Sequence, residues 1–284
     1  MIPAEFDYVR AGSVDEAVSS LRESGEDAKI MAGGQSLIPL LRLRLAYPSV
    51  VVDVGRVAEM RGVREDGDHL VIGAMTTHYE VIHDPLVRAH AGLLVEATET
   101  VADPAVRHRG TFGGALSHAD PAGDLPAVAV ALGAEFVIAG SDGRRTVPAA
   151  DFFVDYLQTA VEPDELLVEV RVPKLGAGWG YRYEKFHRVA QSWAIVGVAA
   201  AVRRENGSIA EARVALTNMG ATPIRASGVE AALTGAATDA IGTAAERAAE
   251  GTQAPSDLNG KADYREHLAR VLTRRAVMAA AGVS

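Results

Sequence analysis

The run Lys29-Ile30-Met31-Ala32-Gly33-Gly34-Gln35-Ser36-Leu37-Ile38-Pro39 joins a short apolar strand candidate to an apolar helical run that continues to residue 45. Two adjacent glycines sit at the strand-to-helix turn. Paired glycines let a backbone approach an anion closely and present successive N–H groups, and the helix start adds a positive dipole end. Upstream, Ser13 and Glu16 form a capping-box pattern, and Val14, Ala17, Val18 and Leu21 fall on one face. This predicts a helix over 13–25, stopped by Gly25. Downstream, Val50-Val51-Val52-Asp53 reads as a buried strand. Residues 1–54 therefore read as one unit of alternating helices and strands.

A second glycine pair lies in Gly110-Thr111-Phe112-Gly113-Gly114-Ala115, inside a stretch over 102–124 that reads as irregular and is dense in Gly, Pro, Asp and His. Each pair alone is no more than a tight turn. Together, two such turns can clamp a pyrophosphate, which favours a dinucleotide. Around them the patterns predict a strand over 70–73, a helix opened by the Thr77/Glu80 capping box, a helix over 91–101, and a buried helix over 126–132. A hairpin across Ser141-Asp142-Gly143 and a strand over 166–172 follow. Lys174-Leu175-Gly176-Ala177-Gly178 reads as a linker. Beyond it come strands over 181–186, 194–203 and 211–217, the last two joined by an Asn206-Gly207 turn. Helices are expected over 229–233, 240–249 and 263–281, giving an α+β C-terminal domain.

Composition narrows the chemistry. The 284 residues suit roughly two domains at about 150 residues each. With 28 basic against 37 acidic residues, the net charge of −9 repels phosphate backbones and argues against nucleic acid. Cysteine is absent, which excludes disulfides, thiolate zinc sites, thiol nucleophiles and self-held iron–sulfur clusters. Redox chemistry would need an organic cofactor or a partner. No signal peptide is expected from the acidic opening Met1-Ile2-Pro3-Ala4-Glu5-Phe6-Asp7, and no run reaches the roughly 18 apolar residues of a membrane span.

No G-x-G-x-x-G follows a strand, no P-loop occurs, and no histidine pairs with a serine in a G-x-S-x-G turn. His118, Asp120 and Asp124 match no zinc or iron spacing, so no metal site is expected; Asp120-Pro121 and Asp124-Leu125-Pro126 read more simply as turn and helix-start residues. Asp124 would cap a helix or accept a ribose hydroxyl. Lys185, flanked by Tyr183, Phe186 and His187, either reaches a cofactor across a domain cleft or is a solvated strand lysine. Arg107, His108 and Arg109 either help a phosphate or pair with surface acids. Trp193 either stacks on a ring system or packs in the core.

The segments Ala32-Gly33-Gly34-Gln35-Ser36-Leu37-Ile38-Pro39, Gly73-Ala74-Met75-Thr76-Thr77-His78 and Gly110-Thr111-Phe112-Gly113-Gly114, with Asp120-Pro121 and Asp124-Leu125-Pro126, resemble the FAD-binding subunits of molybdenum hydroxylases. That family includes the flavin domain of xanthine dehydrogenase. Within it the chain is most similar to medium subunits of aerobic carbon monoxide dehydrogenases, through Met1-Ile2-Pro3, Phe6-Asp7-Tyr8 and Tyr183-Glu184-Lys185 as well. The resemblance implies an α+β, vanillyl-oxidase-like (PCMH-type) FAD-binding fold in two subdomains, 1–54 and 55–176. A C-terminal domain, 177–284, of three antiparallel strands and about three helices would follow. By motif, Ala32, Gly33, Gly34, Gln35 and Ser36 would wrap the pyrophosphate with Thr111, Gly113, Gly114 and Ala115, flanked by Ile30, Met31 and Leu37. Thr76 and Val101 would lie near the cofactor, Asp120 and Asp124 would hold a polar part of it, and Leu167 and Lys185 would approach the flavin. Trp193 would stand where relatives place a tyrosine shield. Phe112, Ala115 and Gln35 depart from a frequent isoleucine, asparagine and histidine.

The implied function is an electron-transfer subunit with no acid–base catalyst of its own. A large molybdenum subunit would oxidise carbon monoxide, a small [2Fe–2S] subunit would feed FAD, and an external acceptor such as a quinone would drain it. The implied assembly is a dimer of heterotrimers, cytoplasmic and able to lie against the inner face of the membrane. Two alternatives remain at this point. One is a self-sufficient flavin oxidase or dehydrogenase, with His78 or His118 as base; the other is a scaffold that has lost its cofactor, against which both glycine pairs speak. A flavin subunit of a related aromatic or purine hydroxylase is a variant of the main expectation.

Overall fold

The computed structural model describes residues 2–283. The chain opens with β1 (Asp7–Arg10), α1 (Val14–Ser24), β2 (Ala28–Met31), α2 (Leu37–Leu43) and β3 (Val50–Asp53). The three strands form a parallel sheet in the order β1-β3-β2. Its central strand is the Val50-Val51-Val52 run, with Val51 and Val52 fully buried. β1 escaped the sequence patterns because its side chains are mostly exposed and give no alternation. The α1 cap forms as expected on one side: Ser13 Oγ accepts from Glu16 N at 3.1 Å. The Glu16 carboxylate closes instead on Gly12 N, at 2.7 Å.

The middle of the chain continues with β4 (Val63–Asp66), β5 (His69–Gly73), α3 (His78–His83), α4 (Pro85–His90), α5 (Gly92–Glu99), α6 (Pro104–Arg107), α7 (Phe112–His118) and α8 (Asp124–Leu132). It ends with β6 (Glu135–Gly140), β7 (Gly143–Pro148), α9 (Ala149–Phe152), β8 (Phe153–Asp155), β9 (Gln158–Thr159) and β10 (Leu166–Pro173). Five of these strands make an antiparallel sheet, β4-β5-β10-β6-β7. The Thr77/Glu80 capping box is fully formed. The stretch over 102–124 is not irregular: Asp103 caps α6 and Thr111 caps α7, each through its side-chain oxygen. Both helices are too short for an apolar period to show. One continuous core, from Val14 and Val52 to Phe136 and Val170, serves this sheet and the first.

The remainder comprises β11 (Trp179–Phe186), β12 (Val196–Glu205), β13 (Ser208–Thr217), β14 (Ile224–Arg225), α10 (Ser227–Leu233), α11 (Ile241–Ala245) and α12 (Ala262–Ala280). The sheet is β11-β12-β13-β14, so a two-residue edge strand joins the three expected. β12 starts at Val196, two residues late, and the expected helix over 240–249 is only α11 flanked by 3-10 turns. Alternation along β12 feeds two cores. Ala199 and Ala201 join the first core. Val196, Val198, Ala200 and Val202 pack into a second one that α12 covers. Among the described residues no helix is long and apolar enough to cross a membrane.

Candidate cofactor site

The first glycine segment leaves β2 and enters α2. Gly34 adopts a positive φ of 75°, which favours a residue without a side chain. Gln35 folds back, its Nε2 donating to Gly33 O at 3.3 Å. The N–H groups of Gly33, Gly34, Gln35 and Ser36 donate to nothing among the described residues. Four consecutive free donors on a side-chain-poor turn form a ready seat for an anion.

The second segment behaves differently from expectation. Phe112 N donates to Thr76 O and Gly113 N to Ala74 O, both at 2.9 Å. Gly114 N donates to Thr111 Oγ1 at 3.1 Å, and Ala115 N to Thr111 O at 3.0 Å. These donors are spent inside the protein, because the pair lies in the first turn of α7 and not in an open loop. Its glycines serve close approach instead: a Cβ on Gly113 would run into Ala74.

The two segments meet. A Cβ on Gly33 would collide with the Arg109 carbonyl, and one on Gly114 would stand 3.7 Å from the Ala32 Cβ. They border a cavity of about 1010 Å³. That lies at the top of the ~300–1,000 Å³ range of ligand pockets, as an extended dinucleotide requires. The unpaired donors, the seam of bare backbone and the cavity's length of wall all fit FAD.

At another part of the wall, Lys185 reaches from β11 to Asp124, the first residue of α8. Lys185 Nζ lies 2.8 Å from Asp124 Oδ2 and 3.0 Å from Thr100 O. Tyr183 donates its hydroxyl to Asp124 Oδ1 at 2.7 Å. Both side chains of the ion pair are almost fully buried. Burial raises the Asp124 carboxyl above the usual aspartate range, against the pull of Lys185 and Tyr183. Burial and the neighbouring carboxylate push the Tyr183 phenol well above its usual range. Asp124 is thus not the helix cap, which is Gly123, and both its oxygens already accept bonds from the C-terminal sheet. Trp193 is not a core residue; it is 55% exposed at the cavity rim.

Ile30, Ala32, Gly33, Gly34, Gln35, Ser36, Leu37, Val101, Thr111, Gly113, Gly114, Ala115, Asp120, Asp124, Leu167, Lys185 and Trp193 all line this one cavity. Met31 and Thr76 do not. Thr76 turns its hydroxyl to the Gly62 backbone, accepting from its N–H at 3.0 Å. Sequence patterns missed the wall formed over 157–163, which carries no glycine pair or charge motif, and the rim residues Gln191 and Ser192. His118 lies 3.8 Å from Asp120, and among the described residues no group of three metal-ligating side chains occurs.

The family described as FAD binding domain in molybdopterin dehydrogenase matches residues 4–175, and that described as CO dehydrogenase flavoprotein C-terminal domain matches 181–280. The chain belongs to the FAD-binding subunits of molybdopterin dehydrogenases. The carbon monoxide dehydrogenase medium chain of Hydrogenophaga pseudoflava is 43% identical, over 99% of this chain and 98% of that one. The solved structure of reconstituted CO dehydrogenase from Oligotropha carboxidovorans matches with a TM-score of 0.97 at 38% identity, covering 100% of both chains. Quinoline 2-oxidoreductase from Pseudomonas putida 86 matches at 0.94 and 36%, covering 99% of both. This flavoprotein subunit therefore has the α+β FAD-binding fold of the family, and FAD is its cofactor.

Proposed function

We propose that this flavoprotein serves a molybdenum complex that oxidises carbon monoxide: CO and water give CO2, two protons and two electrons. The oxidation belongs to a molybdenum subunit, a [2Fe–2S] subunit delivers the electrons, and an external acceptor such as a quinone removes them. The observation that carries this is the row of free donors at Gly33–Ser36, set in one cavity with Lys185 and Trp193, in a chain without a single cysteine. Without thiolates the chain has no cluster of its own, so single electrons must come from a partner. The 43% identity to a carbon monoxide dehydrogenase medium chain favours CO.

FAD, when bound, supplies reversible one- and two-electron chemistry. The protein's residues bind and orient it. Gly33, Gly34, Gln35 and Ser36 hold the diphosphate through their N–H groups, and Thr111, Gly113 and Gly114 close the opposite wall. Ile30, Leu37, Val101 and Leu167 exclude water. Lys185, fixed by Asp124 and Thr100 O, sets a cation at the wall, and Trp193 covers the rim. The subdomains are 1–54, 55–176 and 177–284.

Purifying the native complex tests the proposal. Molybdenum, iron and copper, about one FAD per chain, and bleaching of the flavin absorbance by CO without oxygen are expected. The 36% identity to quinoline 2-oxidoreductase favours a second reading, an aromatic hydroxylase. Bleaching by a heteroaromatic substrate and not by CO would select it. Turnover by the isolated chain would refute both.

A further inference from the structure

The donors at the seam are unevenly distributed. Gly33, Gly34, Gln35 and Ser36 offer free N–H groups, while Phe112, Gly113, Gly114 and Ala115 have spent theirs. On the side of the second segment four backbone N–H groups are therefore engaged, and Thr111 keeps its N–H and hydroxyl hydrogen free among the described residues. His78 stands there. It is the first residue of α3, its N–H donates to Gly110 O at 2.9 Å, and its side chain lines the cavity.

The ring is 4% exposed, and Nδ1 is enclosed with no partner in the protein. A buried N–H without an acceptor is rarer and costlier than a buried lone pair without a donor. The proton of the neutral ring therefore sits on Nε2. Burial and the nearby Arg107 push the imidazole down to about 4, so this neutral form prevails at neutral pH. Nε2 also has no hydrogen-bond partner in the protein and, unlike Nδ1, is not fully enclosed; His78 is part of the cavity lining. It faces Gly110, where a Cβ would come within 2.9 Å of Cδ2 and 3.1 Å of Nε2. Gly110 in turn abuts Gly33.

We infer that His78 Nε2–H is a hydrogen-bond donor to the diphosphate of the bound dinucleotide, at the seam between Gly33 and Gly110, an inference that rests on the flavin reading. It adds a side-chain donor to a wall on which the N–H groups of Phe112, Gly113, Gly114 and Ala115 are already engaged. The bare Gly110 keeps that donor uncovered.

His78→Leu and His78→Gln in the full chain, stripped of flavin and reloaded, test this. Two quantities are read: the FAD dissociation constant, from flavin fluorescence, and the phosphorus-31 spectrum of bound FAD. The leucine variant is expected to bind FAD about tenfold more weakly and to shift a diphosphate resonance. The glutamine variant, which keeps a donor, restores most of both. Unchanged affinity in His78→Leu, or weaker affinity with an unchanged phosphorus spectrum, overturns the inference; the latter marks a packing role. Should the leucine variant not fold, His78→Phe makes the same comparison. Failure of the unmodified chain to take up FAD would instead sink the flavin reading itself.

Discussion

Replacing Lys185 by methionine would keep most of the side-chain volume and strand a charge. The Asp124 carboxylate would lose its bond at 2.8 Å and Thr100 O its donor at 3.0 Å, leaving Tyr183 as the remaining side-chain donor to Asp124. Both partners of the pair are at most 4% exposed, so water does not replace the ammonium. Removing one member of such a pair costs about 3–5 kcal/mol, against a total stability of roughly 5–15 kcal/mol. Urea unfolding of the flavin-free chain at neutral pH should show a deficit of that size. The sign of its pH dependence follows from Asp124, whose carboxyl is already raised in the folded state by burial. A raised acid favours the folded state below its unfolded range and loses that contribution as pH rises through the folded value. Without Lys185 the carboxyl rises further, so the deficit should shrink on acidification. Asp124→Asn combined with Lys185→Met should recover much of the loss. A variant within about 1 kcal/mol of the parent at neutral pH, or a deficit insensitive to pH, would refute the buried-pair argument.

Gly33→Ala should push its new Cβ against the Arg109 carbonyl and part the two segments; the flavin-to-protein ratio after gel filtration should collapse while circular dichroism stays unchanged, and full flavin content would contradict the seam. His78 is depressed from 6.5 to about 4, so its contribution to stability is present above about pH 6.5 and is lost as pH falls towards 4. In flavin-free His78→Gln, denaturation midpoints should therefore vary less across that interval than in the parent, and an equal slope would refute a buried neutral ring. Trp193→Ala removes a side chain that is 55% exposed; stability should change by about 0.5 kcal/mol or less, while fluorescence of bound flavin should rise. Unchanged emission would place the indole away from the ring system.

Much of the fold was legible because its signals are local. Ser13, Thr77 and Gly25 announce helix ends through single side chains or their lack, and the valines of β3 announce a central strand. The glycine pair at 33–34 was legible for a physical reason: a backbone that must stay bare cannot carry a Cβ. The same reasoning misjudged the pair at 113–114. Nothing in its composition tells whether N–H groups face a ligand or Ala74 O and the Thr111 hydroxyl, since that depends on α7 docking against the residues after β5. β1 was invisible because its partner lies some forty residues away and its exposed face shows no alternation. Asp124 could be picked out beside a helix start, but its engagement by Tyr183 and Lys185 is a contact across two sheets' worth of chain. Thr76, named from its motif, proved to bind the Gly62 backbone.

The sheet face that carries Tyr183 and Lys185 has Gly197, Ala199 and Ala201 as their cross-strand neighbourhood, with Ala215 beyond. Those small groups work as a shim of set thickness between the last sheet and α8. A Cβ on Gly197 alone would come within 2.5 Å of the Tyr183 hydroxyl. Thickening the shim by even a methyl would press on the Tyr183 hydroxyl that holds Asp124. The tolerance of the buried Tyr183–Asp124–Lys185 cluster is thereby written in some of the least conspicuous residues of the chain.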